Sequence, residues 1–212
     1  MEVIASYTKS GGSWLHWILI DWIHSPEMLL DLEEKRVLDT YIRKTELTIP
    51  NKRPDLHLIR HPLDICCSLY NYFLLTNRAT EKDKKELLDR FVAGQPSLAS
   101  NRNYFEFMEW GMTAPIVVRY EDLNENPEKA LSKVQQLNPN KPIKPSIEKY
   151  SLDKVRSREG KVKFIRPTNK KYSFFNKASS FYYQEILSQE QIHTGLKTYE
   201  QFINLYWPET RV

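Results

Sequence analysis

Ser6-Tyr7-Thr8-Lys9-Ser10-Gly11-Gly12-Ser13-Trp14 is the stretch on which the reading of this chain turns. Before it, Val3-Ile4-Ala5 has the length and apolarity of a short buried strand. After it, residues 14–23 are almost wholly apolar and predict a helix. A strand, a small-residue turn with one lysine and a helix start together form an anion-binding arrangement. Backbone N–H groups converge there, the helix dipole adds partial positive charge, and glycine lets an anion approach closely. A Walker A loop, G-x-x-x-x-G-K-[ST], carries its lysine directly after the second glycine. Here Lys9 precedes Gly11 and Gly12, which turns the reading away from ATPases and GTPases.

Outward from the turn, apolar runs alternate with helical patterns. This predicts an α/β fold with a central parallel β-sheet flanked by helices and a P-loop-like phosphate-binding turn after the first strand. The length, 212 residues, suits a single domain over 1–212. Residues 56–59 and 115–120 read as strands, and helices are predicted over 63–75, 81–91, 98–110, 127–137 and 188–206. Prolines punctuate a connector at 138–145. The basic stretch 153–180 lacks periodicity, which fits a loop closing over an anion and equally a merely mobile loop.

A net charge of +4 favours an anionic ligand but falls well short of a nucleic-acid-binding arm. The only cysteines, Cys66 and Cys67, are adjacent, which suits neither a disulfide framework nor a metal site and points to a reducing compartment. The apolar run at 14–23 is shorter than the roughly 20 residues a bilayer demands. No leader pattern precedes the first strand, so a soluble, cytoplasmic protein with no membrane or nucleic-acid partner is expected.

Four segments, in one order and nearly end to end, resemble the sulfotransferases that use 3′-phosphoadenosine-5′-phosphosulfate (PAPS). Residues 6–14 look like that family's T-Y-P-K-S-G-T-T-W loop. Arg60, Pro62, Asp64 and Ser68 fall on the spacing of its 3′-phosphate segment. Tyr120-Glu121-Asp122-Leu123, followed by Asn126-Pro127, resembles the end of its central strand, and Glu148-Lys149-Tyr150-Ser151-Leu152 resembles the segment bordering adenine. The resemblance implies transfer of a sulfuryl group from PAPS to a hydroxyl of a small molecule or glycan. Adenosine 3′,5′-bisphosphate (PAP) would be the product, and no metal is implied by the His, Cys or carboxylate spacing.

It also implies roles for particular residues. Lys9, Ser10, Gly11, Gly12 and Ser13 would hold the 5′ side, with the Lys9 charge following the bridging oxygen. Trp14 would stack on adenine, although a core tryptophan is the ordinary alternative. A guanidinium fork from Arg60 and a hydroxyl from Ser68 could converge on the 3′-phosphate, against the alternative of an Arg60–Asp64 pair. Tyr120 and Ser151 join the cofactor set, with a buried, satisfied tyrosine as the plain reading of the former. Lys44-Thr45-Glu46 stands where many members carry Lys-Thr-His, so Glu46 is the expected general base and Lys44 its cationic neighbour. An exposed loop carboxylate is the alternative for Glu46, and His57 is a rival base that strand alternation should bury.

The chain departs from the pattern in places. Gly12 replaces the first of two threonines, and Leu152 stands where phenylalanine is common. The C-terminal Arg-Lys-Gly element is blurred: 176–181 aligns best and 158–161 is a second candidate, so Arg166 and Lys177 are set against the 3′-phosphate by position alone. The interval from Trp14 to Glu46 is short, which predicts a shallow or open acceptor pocket, or one completed by a second copy in a homo-oligomer. Two other readings stay open: a P-loop kinase of a small metabolite, and a catalytically silent nucleotide-binding protein of the same fold.

Overall fold

Four short strands frame the computed structural model, which describes residues 3–24, 43–45, 48–95, 104–151, 153–154 and 180–210. β1 (Val3–Ser6), β2 (Arg43–Thr45), β3 (Leu56–Ile59) and β4 (Ile116–Arg119) are all parallel and lie in the order β2-β1-β3-β4. Ala5 is the register point, opposite Thr45 on one side and His57 on the other. A parallel sheet needs cover on both faces, because its crossovers lay helices there. α1 (Gly12–His24) follows β1 and packs Leu15, Ile18, Leu19 and Trp22 with Ile4, Leu56 and Leu58. α2 (Pro62–Leu75) follows β3 and packs Leu63, Cys66, Tyr70 and Leu74 with Ala5 and Ile59 on the opposite face. Its Pro62 sits in the first turn, where a missing N–H costs nothing. Neighbouring strands β1 and β3 therefore send their helices to opposite faces. Their carboxyl ends thus flank the crevice position at which open α/β sheets usually bind ligands.

The remaining elements thicken both layers: α3 (Lys84–Val92), α4 (Tyr104–Gly111), α5 (Tyr120–Glu125), α6 (Pro127–Ala130), α7 (Ser132–Gln135), α8 (Lys144–Lys149), α9 (Tyr183–Ile186), α10 (Gln189–Thr198) and α11 (Glu200–Tyr206). Three expectations needed revision. The strand predicted at 115–120 stops at Arg119, because Tyr120 already opens α5. The helix predicted over 127–137 breaks at Leu131, which is fully buried, into α6 and α7. The helix predicted over 188–206 breaks at Tyr199, whose hydroxyl donates to Phe91 O at 2.6 Å. β2 went unforeseen. Arg43-Lys44-Thr45 has no apolar signature, and it becomes a strand by pairing with β1.

Buried carboxylates tie the C-terminal elements to the strand ends. Glu121, 1% exposed, accepts from the His61 N–H at 2.8 Å and the Trp207 indole N–H at 3.0 Å. Burial raises its pKa, and those two donors oppose the rise. Arg119 Nη1 donates to Tyr206 O at 2.8 Å while its Nη2 meets Glu209 at 2.6 Å. Asp64, fully buried, accepts from the N–H groups of Phe181 at 2.8 Å and Tyr183 at 2.9 Å. The chain at 181–183 is thereby pinned to the first turn of α2.

His57 and His61 are both fully buried, and desolvation pushes each pKa down to about 3, helped at His61 by Arg60 and Arg119. Unfolded, each titrates near 6.5. Between those values the unfolded chain binds more protons than the folded one. Stability is therefore full above 6.5 and falls as pH drops through the window, by up to about 1.4 kcal/mol per pH unit per histidine. Urea unfolding at pH 7.5 and pH 5.0 should show a His57→Asn variant losing about 2 kcal/mol less than the parent over that interval. Equal losses in the two chains would refute this account of His57.

Candidate active site

The turn between β1 and α1 is shaped by its backbone. Ser10 N–H donates to Tyr7 O at 3.0 Å, and the Trp14 and Leu15 N–H groups both reach Gly11 O, at 3.0 and 3.2 Å. Lys9 and Gly11 adopt left-handed φ values of 69° and 83°. Glycine takes this conformation freely, and at Gly11 a Cβ would also stand 2.6 Å from the Tyr120 ring. For lysine the same conformation is unfavourable by roughly 1 kcal/mol, so something must hold it. Arg60 does so: its Nη1 donates to Lys9 O at 3.1 Å, across the crevice between β1 and β3.

Arg60 is 8% exposed, and its guanidinium carbon lies 4.4 Å from the centroid of the Tyr120 ring. A guanidinium stays charged wherever it is placed, and the ring face offers only partial compensation. Asp64, the alternative partner, accepts from Phe181 and Tyr183, while the Arg60 charge still opposes the rise that burial gives its pKa. Among the described residues Arg60 makes no ion pair. Among the described residues its Nε is buried without a hydrogen-bond partner, and so is the hydroxyl of Ser10, a residue 1% exposed. Unpaired buried donors are costly, about 1–3 kcal/mol each. A cation and a hydroxyl left in this state beside a helix N-terminus suit an incoming anion.

α2 has 14 residues, of which only Ser68, Asn71 and Tyr72 are not buried. Spacings of three and four put them on one face, so this otherwise enclosed helix meets solvent through a single window. Lys9 Nζ stands 5.1 Å from the Tyr72 ring centroid, and the Arg78 guanidinium 6.0 Å from it. On the other side of the turn, Lys44 Nζ lies 3.4 Å from the Ser13 hydroxyl. Lys9 thus carries its charge toward α2, and Lys44 brings one from β2 to the start of α1.

Trp14 is 5% exposed and meets Tyr120 edge to face at 6.2 Å. Its indole N–H donates to Tyr150 O at 2.6 Å, which brings the half-buried Ser151 to the same side of the turn. Ser68 is half-buried two helical turns beyond Arg60. His57 is enclosed beside Phe107, as expected, although the cause is cover on both faces of the sheet rather than alternation, since all of β3 is buried. Glu46, Leu152, Arg166 and Lys177 lie outside the described residues, and of 176–181 only Ser180 and Phe181 are described. Asn71 and Tyr72 escaped the sequence reading, although their spacing from Ser68 was a usable signal. Among the described residues there is no group of three His, Cys, Asp or Glu able to hold a metal, and no helix long and apolar enough to cross a membrane.

Comparison with known proteins bears on this geometry. The family model described as a sulfotransferase domain matches residues 19–205, a span that begins inside α1, past the turn. A mouse sulfotransferase complexed with PAP is similar over 95% of this chain and 83% of its own, at 15% identity and a TM-score of 0.68. Retinol dehydratase with androsterone and inactive cofactor PAP aligns over 99% of this chain and 82% of its own, at 15% identity and TM-score 0.66. The same enzyme with retinol and PAP gives 16% identity over 99% and 82%, with TM-score 0.68. At such identities the likeness is one of fold. No curated protein matches.

Tyr120 is the shared contact of Gly11, Arg60 and Trp14. Tyr120→Leu should destabilise the protein by about 2–3 kcal/mol, and Tyr120→Phe, which keeps the ring, by about 1 kcal/mol or less. Chemical denaturation reads both, and equal losses would contradict the ring's role.

Proposed function

This chain belongs to the sulfotransferase family, and from that premise we propose that the whole of 1–212 is one domain moving a sulfuryl group from PAPS to a hydroxyl of a small-molecule or carbohydrate acceptor. The observation that carries this reading is the buried Arg60, which donates to the carbonyl of Lys9 and forms no ion pair among the described residues. It joins a 5′ anion turn to a second cation of the kind a 3′-phosphate requires, and a nucleotide with a single phosphate chain would not need both. The orphaned Ser10 hydroxyl and the Arg60 Nε fit such a ligand. Retinol and androsterone, bound in the related structures, are small molecules, which supports the same acceptor class for this chain.

When bound, PAPS supplies an activated sulfuryl group. The acceptor oxygen bonds to sulfur as the bond from sulfur to the bridging oxygen breaks, and PAP departs with that electron pair. The acceptor proton goes to the Glu46 carboxylate as general base. Lys9 offers its charge to the bridging oxygen as negative charge grows there. Lys44, beside the Ser13 hydroxyl, adds a second cation at the start of α1. The N–H groups of Gly11, Gly12 and Ser13 hold the 5′ group, and Arg60 with Ser68 holds the 3′-phosphate. Trp14, Tyr120 and Ser151 border the base, with Arg166 and Lys177 as further cations for the phosphate.

Thermal unfolding with ligands tests the reading. PAP at about a hundred times its Kd should add about 2.7 kcal/mol, and ATP with magnesium should add far less. The reverse order would favour a kinase and overturn the proposal. Glu46→Gln and Lys9→Ala should each cut labelled sulfate transfer by about a hundredfold or more, the first with little change in PAP affinity. Undiminished turnover in Glu46→Gln would remove Glu46 as the base.

A further inference from the structure

Gly12, where the chain lacks a hydroxyl its family supplies, has a specific neighbour. A Cβ built at position 12 would stand 2.7 Å from the Cβ of Ser6, closer still to the Ser6 hydroxyl, and 3.2 Å from Cδ of Lys44. Rotating Ser6 moves its hydroxyl but not its Cβ, so no rotamer clears the space. Ser6 is 1% exposed, and its own hydrogen bond to Tyr7 O is long, at 3.5 Å. Ile4 pairs in register with Lys44 and belongs to the cluster under α1. Ser6, two residues on, faces the same way. Three side-chain positions from β1, α1 and β2 therefore meet in one notch at the start of α1.

We propose that Ser6 is a positioning residue for Lys44, acting through the notch that Gly12 leaves open. Ser6 forms the floor of the notch and Gly12 its opening. The aliphatic stem of Lys44 passes through, and its ammonium arrives 3.4 Å from the Ser13 hydroxyl, beside the first N–H groups of α1. A side chain at position 12 collides with the Cβ of Ser6, and the parting of α1 from β1 that relieves the collision carries the Ser13 hydroxyl away from the Lys44 ammonium. The hydroxyl missing from position 12 is thus exchanged for the reach of a cation. This deepens the proposed function and rests on it, because Lys44 matters only if the turn holds the 5′ group of the nucleotide.

Calorimetric titration of the full chain with PAP and with adenosine 3′-monophosphate separates the 5′ contribution from the rest. Gly12→Ala and Lys44→Met should each weaken PAP about tenfold or more while adenosine 3′-monophosphate stays within about twofold, since losing one charge-assisted contact changes affinity on that scale. The reciprocal double variant Ser6→Gly/Gly12→Ala refills the notch from the other side. It should recover PAP affinity to within about threefold of the parent, a non-additivity expected only of residues in contact. The proposal is overturned if Gly12→Ala binds PAP as the parent does, if both ligands weaken equally, or if the double variant is no better than Gly12→Ala. A parent that binds neither nucleotide defeats the sulfotransferase reading itself. Ligand-free melting temperatures would then still judge the notch: lowered in Gly12→Ala and restored in the double variant supports the packing, and no restoration contradicts it.

Discussion

A guanidinium cannot shed its charge when it is buried, and Arg60 carries one into the seam between two parallel strands. From the end of β3 it donates to the carbonyl of Lys9, in the turn that follows β1. That one contact holds a lysine in a left-handed conformation, packs the cation on Tyr120, and fixes the distance between the turn and the start of α2. The carboxylate four residues along offsets that charge from a distance, without an ion pair to it. Asp64 is turned instead to the backbone of 181–183. Asp64 and Glu121 offset the charge through space, yet neither hydrogen-bonds the guanidinium, which leaves its remaining donors suited to an anionic ligand.

The sheet order explains why the contact exists. Because β1 and β3 are neighbours with their helices on opposite faces, the two loops that follow them converge without a helix between them. The C-terminal elements then secure the strand ends. Glu121 clamps His61 to Trp207, and Arg119 reaches Tyr206 and Glu209. The Tyr-Glu-Asp segment therefore divides its labour: Tyr120 supports the crevice, and Glu121 fastens the protein behind it.

Much of this was legible because it is local. The strand at Leu56–Ile59, the helix from Pro62 and the turn at Lys9 to Gly11 follow from apolar runs, proline placement and glycine spacing. What was not legible depends on partners remote in sequence. Arg43–Thr45 is a strand only because β1 lies beside it, and the solvent window at Ser68, Asn71 and Tyr72 exists only because the rest of α2 is covered. The meaning of Gly12 was hidden for the same reason. As a departure from a motif it looked like a loss, whereas in space it is the complement of Ser6 and Lys44. Trp14 shows how far a motif reaches. The indole is buried in the cluster under α1 and held by Tyr150 O, which its sequence neighbours alone did not reveal.

The central claim is that Arg60 serves a second phosphate, distinct from the one at the turn. Its most direct test is calorimetric titration of the parent and a folded Arg60→Met variant with PAP and with adenosine 5′-monophosphate, which lacks the 3′-phosphate. The account predicts that the parent prefers PAP by about a hundredfold, and that the preference falls below about tenfold in Arg60→Met, with adenosine 5′-monophosphate nearly unaffected. A parent without the preference, or a variant that keeps it, would contradict the account.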